Sequence, residues 1–290
     1  MAALKPYLQL TRPANLLTAL ADILAGFAIA GFSFQTGNSF VLLLLSTLGL
    51  YGGGVVLNDV FDAELDAIER PERPIPSGKV PLRNAAMLGG TLLALGVLFA
   101  RFFSLTSGLI ALGIAVLVIL YDRYAKHSQV FGPLVMGLCR GGNLLLGISV
   151  VSAALDTYAW LGIFPIIYIG AITLISQDEV HGGKRMTLYI AGFFYAIVHL
   201  VQLYVAYTQG NFFLAIPWVA LHVWLVALPL LAAIRNPVGP MIGKAVKAGV
   251  LSLIVMDTAW CVAFGYWPLA ILVVLLLPLS LRLARIFAVT

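Results

Sequence analysis

The chain has 290 residues, of which 61% are hydrophobic and only 10% are charged. Soluble domains average about 45–50% apolar and about 25% charged residues. The composition therefore excludes a soluble globular protein and indicates an integral membrane protein. The formal net charge of +5 fits basic cytoplasmic loops, and nothing in it indicates a nucleic-acid partner. Both cysteines lie inside hydrophobic runs, where they predict neither a disulfide framework nor a zinc site.

Ten hydrophobic stretches follow one another along the chain, each long enough to cross a hydrocarbon core of about 30 Å. They lie at 14–34, 40–59, 84–103, 106–122, 132–151, 158–176, 187–207, 212–233, 243–264 and 266–286. The last two could form one broken unit. We therefore predict an all-α, polytopic transmembrane bundle of nine or ten spans, forming a single domain over residues 1–290.

The basic residues alternate between loops. Fifteen of the seventeen Lys and Arg residues fall in the N-terminus, in every second loop or at the C-terminal end. The opposite loops hold only Arg101, and Arg140 lies within a span. By the positive-inside rule this pattern predicts an even number of crossings, with both termini in the cytoplasm. It also places every loop of chemical interest on the cytoplasmic side.

An acidic motif marks the end of the second span. Asn58, Asp62 and Asp66 recur every four residues, so on a helix they share one face. Six of the twelve carboxylates in the chain lie between Asp59 and Glu72. Hard oxygen ligands select Mg²⁺ or Ca²⁺, and Mg²⁺ commonly binds through one or two carboxylates together with substrate phosphates. The alternative is an ordinary charged loop that caps a membrane helix.

Basic side chains follow the acidic motif and could hold phosphate oxygens that a metal leaves uncovered. They are Arg70, Arg73, Lys79 and Arg83. Among them, Arg73 begins a loop whose two prolines and one glycine restrict the backbone, which presents its side chain beside the carboxylates. Lys126, after the fourth span, could reach a diphosphate as a point charge. Its alternative role is to anchor the loop at the cytoplasmic surface.

Arg140 and Asn143 lie about three turns inside the fifth span, on either side of two consecutive glycines. Charged residues within a membrane are costly and usually functional. An arginine at this depth needs an anion, and the candidates are a bound phosphate or a carboxylate of the acidic motif. A buried structural ion pair is the alternative.

A third polar site follows the sixth span. Asp178 and Glu179 are adjacent, so on a helix they point about 100° apart and only one can face a shared metal squarely. His181 is a candidate ligand or proton acceptor, and a simple surface histidine is the alternative. Lys184 and Arg185 follow directly.

Together these motifs resemble the UbiA superfamily of intramembrane prenyltransferases. The likeness is carried by Asn58-Asp59-x-x-Asp62-x-x-x-Asp66, Arg73-Pro74-Ile75-Pro76-Ser77-Gly78, Tyr121 with Lys126, and Gly142-Asn143. The runs at 121–126, 139–147 and 179–183 are similar to the UbiA-like EboC group. The resemblance extends from Arg12-Pro13 to the last span.

The resemblance implies a bundle around a central cavity, in which Mg²⁺ binds the diphosphate of an isoprenoid donor. The acceptor would be an unidentified small molecule or lipid, and we expect a bacterial inner or plasma membrane with the active site facing the cytoplasm. The implied metal ligands are Asn58, Asp62, Asp66, Asp178 and Glu179. The implied catalytic residues are Asp62, Asp66, Arg73, Lys126 and Arg140. The implied substrate-binding residues are Arg73, Tyr121, Lys126, Arg140, Asn143, Lys184 and Arg185.

The second metal motif departs from the family pattern. Members usually carry Asp-x-x-x-Asp before a basic stretch, and counting back from Lys184 places Glu179 at the later Asp and Ile175 at the earlier one. Two rival functions follow. The same pocket could hold a prenyl diphosphate or another lipid for binding or transport without turnover. Alternatively, Asp22, Asp62 and Asp257 could form the relay of an ion-coupled transporter, although no internal repeat of the kind found in many transporters is evident.

Overall fold

The computed structural model describes residues 4–33, 38–179 and 182–287, and within these ranges the secondary structure is helical, without strands. The α-helices are α1 Lys5–Leu10, α2 Pro13–Ile29, α3 Val41–Phe61, α4 Ala63–Glu69, α5 Leu82–Phe103, α6 Leu105–Arg123, α7 Phe131–Ile148, α8 Ser152–Tyr158, α9 Ile163–Ser176, α10 Arg185–Thr208, α11 Phe212–Arg235, α12 Gly239–Ala263 and α13 Trp267–Phe287. Short 3₁₀ segments lie at Asn38–Phe40, Ala125–His127 and Ala159–Gly162.

Nine helical segments of the described chain are long and apolar enough to cross a membrane, with Ser152–Ser176 counted as one segment. The apolar helix α2, with 17 residues, is slightly shorter than these nine. The prediction of an all-α membrane bundle with nine or ten spans is therefore confirmed. Each of the ten predicted stretches coincides with a helix.

The first span ends earlier than predicted. Hydropathy extends it to residue 34, whereas α2 ends at Ile29. Gly31 adopts a φ of 66°, and the backbone N–H of Phe32 donates to the carbonyl of Phe27 at 3.0 Å. This is the Schellman arrangement, in which a left-handed glycine terminates a helix.

The connecting segments meet at two opposite ends of the bundle. At the end that carries the basic loops, contacts join Lys126 with Asp62, Gln177 with Ser128, and Gly183 with Pro237. At the other end, contacts join Ser107 with Ser149, and Asn211 with Ala263. The acidic motif and the basic loops therefore share one end, as the charge pattern requires. The cytoplasmic orientation of that end remains a prediction.

Helices α2 and α7 approach closely through small residues at the centre of the bundle. A Cβ atom on Gly147 would lie 2.5 Å from the carbonyl oxygen of Ile23, and one on Gly26 would lie 2.6 Å from the carbonyl oxygen of Leu144. Small residues are what allow membrane helices to pack backbone against backbone. This contact fixes the relative position of α2 and α7, the helices that carry Asp22, Arg140 and Asn143.

Gly147→Ala is expected to destabilise the bundle by about 1–3 kcal/mol, because the added methyl group must push α2 and α7 apart. Thermal unfolding in detergent, followed by circular dichroism, measures the change. Gly90→Ala is the matched control, since no atom lies within 4 Å of a Cβ at Gly90. Equal stability of the two variants would contradict the prediction.

Candidate functional site

A cavity of about 230 Å³ lies between α3, α6 and α7 and contacts the N-terminal end of α2. Arg12, Asn58 and Asp122 line it near the end of the bundle that carries the acidic motif, and Thr47 and Asn143 line it deeper in. Thr47 and Asn58 are eleven residues apart on α3. At 1.5 Å per residue the cavity therefore reaches about 16 Å along the helix axis. The wall between these polar ends is largely aliphatic, with Leu50, Val55, Ile114, Val118 and Met136.

Asn58 and Asp122 form the polar mouth of the cavity. The Asn58 side-chain amide donates to Asp122 Oδ1 at 3.0 Å. Asp122 is only 3% exposed, and its Oδ2 atom has no hydrogen-bond partner among the described residues. The neighbouring Tyr121 also lines the cavity. Sequence reasoning selected Tyr121 and overlooked Asp122; the available signal was a carboxylate at the end of an apolar span.

The four-residue spacing of the acidic motif is kept across a break between two helices. α3 ends at Phe61 and α4 begins at Ala63, so Asp62 is the junction residue. The Asp62 N–H donates to the Asn58 carbonyl at 3.0 Å, and the Asp66 N–H donates to the Asp62 carbonyl at 2.8 Å. The Asp62 carboxylate accepts a hydrogen bond from Lys126 Nζ. The structure thus brings two predicted catalytic residues from different loops into contact.

Arg73 and Arg12 neutralise the other buried acids of the motif. Arg73 Nη1 lies 2.7 Å from Asp66 Oδ2 and 3.4 Å from Asp59 Oδ1, and Arg12 Nη2 lies 2.6 Å from Asp59 Oδ1. In the described ranges Arg12 is the only non-glycine residue with a positive φ, at 46°. Such strain persists where the surrounding structure holds it in place, and the ion pair to Asp59 does so here. Sequence reasoning assigned no role to Arg12 or Asp59.

Arg140 forms an ion pair within the membrane. Its partner is a carboxylate that the sequence did not indicate as such. Arg140 Nε lies 2.9 Å from Asp22 Oδ2, and the two side chains are 7% and 1% exposed. The carboxylate beside Arg140 therefore comes from α2 and not from the acidic motif, which matches the alternative of a buried ion pair. The assignment of Arg140 to a bound phosphate stays a prediction. Asn143 donates to Asp22 at 3.2 Å and accepts a hydrogen bond from Thr47. Arg140 also faces the ring of Tyr51, with its guanidinium carbon 5.7 Å from the ring centroid.

The third predicted site stays apart from the first. Asp178 is half-buried, whereas Glu179, Lys184 and Arg185 are exposed. None of the four lines the cavity. Within the described ranges no hydrogen bond or ion pair joins them to the acidic motif, and Arg185 instead donates to the carbonyl of Arg235 at 3.4 Å. His181 lies outside the described residues.

The mouth offers oxygen donors that fit one magnesium ion. Three converging His, Cys, Asp or Glu side chains are not found in the part of the chain that the structure describes. However, Asn58 lines the cavity and carries an amide oxygen, Asp122 has a buried oxygen without a hydrogen-bond partner among the described residues, and Asp62 is partly exposed one turn from Asn58. Mg²⁺ usually takes one or two carboxylates and completes its shell with water and phosphate oxygens. This donor set meets that requirement, whereas Asp178 and Glu179 add no donor to it.

A helical membrane bundle whose apolar cavity opens at an acidic ladder flanked by bases defines a pocket for an amphiphile with an anionic head. The model of the UbiA prenyltransferase family matches residues 19–237. The chain belongs to this family. The narrower likeness to the EboC group stays a prediction.

Several curated relatives are digeranylgeranylglyceryl phosphate synthases from archaea. The enzyme of Methanosarcina barkeri is 35% identical over 162 residues, which are 51% of this chain and 56% of that protein. The match therefore spans only about half of that relative. The enzyme of Methanothermobacter thermautotrophicus is 27% identical over 263 residues, covering 85% of this chain and 92% of that protein.

Solved structures share the fold. A UbiA homolog from Aeropyrum pernix K1 superposes with a TM-score of 0.69 at 16% identity, over 84% of this chain and 96% of that chain. A UbiA homolog from Archaeoglobus fulgidus, bound to GPP and Mg²⁺, gives a TM-score of 0.62 at 17% identity, over 86% of this chain and 99% of that chain. These likenesses establish the fold of the bundle.

Proposed function

We propose that this protein transfers an isoprenoid group from a prenyl diphosphate to an acceptor, in a reaction that depends on Mg²⁺. The observation that carries the proposal is that Arg12, Asn58 and Asp122 line the mouth of an apolar cavity, while the ion pair of Asp62 and Lys126 lies beside that mouth, close to Asp122. Family membership supports it. So do the names of the curated relatives and the GPP and Mg²⁺ bound to the Archaeoglobus homolog.

The chemistry requires charge stabilisation at the mouth. Breaking the carbon–oxygen bond to diphosphate places negative charge on the leaving group and positive charge on the allylic carbon. A magnesium ion held by Asn58, Asp62 and Asp122 would supply positive charge to the diphosphate oxygens. Lys126 and Arg73 would donate charge-assisted hydrogen bonds to the oxygens that remain. For this they would exchange their present carboxylate partners for the substrate.

The wall of the cavity would protect the allylic cation. Leu50, Val118 and Met136 exclude water, which would otherwise hydrolyse the cation. The rings of Tyr51 and Tyr121 also line the cavity, and aromatic faces attract cations. The acceptor is a small molecule or lipid that enters this same chamber from the membrane or the cytoplasm. The charge distribution of the loops supports a mouth that faces the cytoplasm.

A non-catalytic lipid-binding protein is the second candidate function. The observation in its favour is that Asp178 and Glu179 make no contact with the first motif in the described structure. A pocket with one metal could retain a prenyl diphosphate without cleaving it. Tight, Mg²⁺-dependent binding of a non-hydrolysable donor analogue without turnover is the result that would support this function.

Removal of the metal tests the proposal directly. Protein in lipid nanodiscs is supplied with geranyl, farnesyl or geranylgeranyl diphosphate, candidate acceptors and Mg²⁺, and released diphosphate is measured. We expect EDTA to lower the release rate at least about 100-fold, because one missing electrostatic partner of the transition state already costs about that much. Added Mg²⁺ should restore the rate. If the protein neither binds any of these donors nor releases diphosphate, the proposed function is wrong.

A further inference from the structure

A second apolar space adjoins the central cavity and opens on the outer surface of the bundle. This groove has a volume of about 690 Å³ and lies between α6, α7 and the beginning of α9. Trp160 and Ile163, each about half exposed, stand at its outer edge. Among the described residues, Ile114 alone lines both the groove and the central cavity. Ile114 is therefore the partition between the two spaces.

Two glycines give the partition its shape. A Cβ on Gly142 would lie 2.8 Å from Ile114 Cγ1, so the bare backbone of α7 is what leaves room for the Ile114 side chain. On the groove side, no atom lies within 4 Å of a Cβ at Gly113. The floor of the groove is thus open space next to the partition, and a side chain at Gly113 would occupy it.

The length of the central cavity limits what it can hold. An extended chain spans about 3.5 Å per three backbone bonds, so an isoprene unit of four bonds spans about 4.7 Å by the same geometry. A depth of about 16 Å along α3 therefore holds about three units. A fourth unit needs further apolar space. The groove beyond Ile114 adjoins the cavity and provides such space.

We infer that Ile114 sets the length of the donor chain. The inference rests on the proposed function and deepens it. Ile114 lies eight residues before Asp122 on α6, so it stands in the cavity wall about 12 Å from the mouth. Donors of two or three isoprene units stay on the cavity side of Ile114, whereas the last unit of a longer donor must displace this side chain to enter the groove. The protein accordingly prefers geranyl and farnesyl diphosphate to geranylgeranyl diphosphate. The groove is the place for the distal end of a longer tail.

Variants on both sides of the partition test the inference. Rates with Mg²⁺ are measured for geranyl and geranylgeranyl diphosphate in nanodiscs. We expect Ile114→Ala to raise the ratio of the geranylgeranyl rate to the geranyl rate about tenfold, at the lower end of what a hydrophobic pocket discriminates. Adding Gly113→Leu to Ile114→Ala should reverse that gain. Gly90→Leu, at another glycine with no atom within 4 Å of its Cβ, is the control and should leave the ratio unchanged.

The outcomes separate this inference from the proposed function. Retained turnover of geranyl diphosphate shows that a variant is folded, and Ile114→Val provides a milder change if Ile114→Ala does not fold. An unchanged length ratio in both Ile114 variants, with geranyl diphosphate still turned over, overturns the inference alone. A wild-type protein that already prefers geranylgeranyl diphosphate also overturns it. Absence of binding and turnover with every donor overturns the proposed function together with the inference.

Discussion

Asp62→Asn is expected to lower the rate of diphosphate release by about 10²–10³-fold, the usual result of removing one preorganised electrostatic group from a reaction centre. The substitution keeps the shape of the side chain and removes its charge. It removes the proposed magnesium ligand one turn from Asn58 and breaks the ion pair to Lys126. Steady-state rates at saturating donor and a range of Mg²⁺ concentrations measure the effect.

Two further variants show how Asp62 acts. Glu64→Gln removes an exposed carboxylate of the same motif and should leave the rate within about twofold. Lys126→Met breaks the same ion pair but leaves the Asp62 carboxylate free. If Asp62 only anchors Lys126, the two variants should lose the same activity and the Mg²⁺ dependence should stay as in the wild type. If Asp62 binds the metal, only Asp62→Asn should raise the Mg²⁺ concentration required. A rate for Asp62→Asn equal to the wild type would refute both roles.

The membrane fold was predictable because its signal is local. Each span must satisfy its own backbone hydrogen bonds in lipid, so hydropathy alone places the helices. What hydropathy does not detect is the end of a helix inside an apolar run. Residues 30–34 continue the hydrophobic pattern of α2, yet Gly31 ends the helix. It does so through its left-handed backbone conformation, which a hydropathy profile does not detect. Similarly, Ala63–Glu69 forms a separate short helix, which the continuous four-residue spacing did not reveal.

The site was predictable where its geometry is helical. The spacing of Asn58, Asp62 and Asp66 places them one turn apart, and the backbone bonds of the structure preserve that register across the helix break. Arg73 was expected beside these carboxylates because it follows them closely in the chain, and it lies 2.7 Å from Asp66. The contacts of Arg12 and Lys126 were not predictable, because these residues reach the motif from segments that only the folded bundle brings near. For the same reason, the sequence left open which of several bases serves each acid.

Asp122 illustrates a different limit. A carboxylate at the end of a span is normally a solvated terminus, and composition does not separate that case from a residue that is 3% exposed. The tertiary contact with Asn58 makes Asp122 part of the cavity mouth. For Arg140, the sequence showed that the residue lies within the membrane but did not show which residue it pairs with. Asp22 comes from the first membrane helix, and it meets Arg140 because glycines bring α2 and α7 together.

Arg140→Met is expected to destabilise the protein by about 3–5 kcal/mol, because it leaves the Asp22 carboxylate buried without its counter-charge. Asp22 is 1% exposed in the centre of the bundle, and water cannot replace the lost partner. The side chains of Asn143, at 3.2 Å, and of Asp257 still share hydrogen bonds with Asp22, but neither carries a positive charge. Unfolding in detergent measures the loss, with Arg101→Met, at an exposed position, as the control expected to change stability by less than about 0.5 kcal/mol.

The double variant Asp22→Leu with Arg140→Met should regain most of the stability lost in Arg140→Met. Removing both charges eliminates the desolvation penalty along with the attraction, which is why apolar replacements of buried ion pairs are often neutral. A double-mutant cycle then gives the coupling between the two residues. If the loss of stability in the double variant equals the sum of the losses in the two single variants, the ion pair with Asp22 does not stabilise Arg140 within the membrane. If stability returns while donor turnover does not, Arg140 acts on the substrate as well as on Asp22, through the face that lines the cavity.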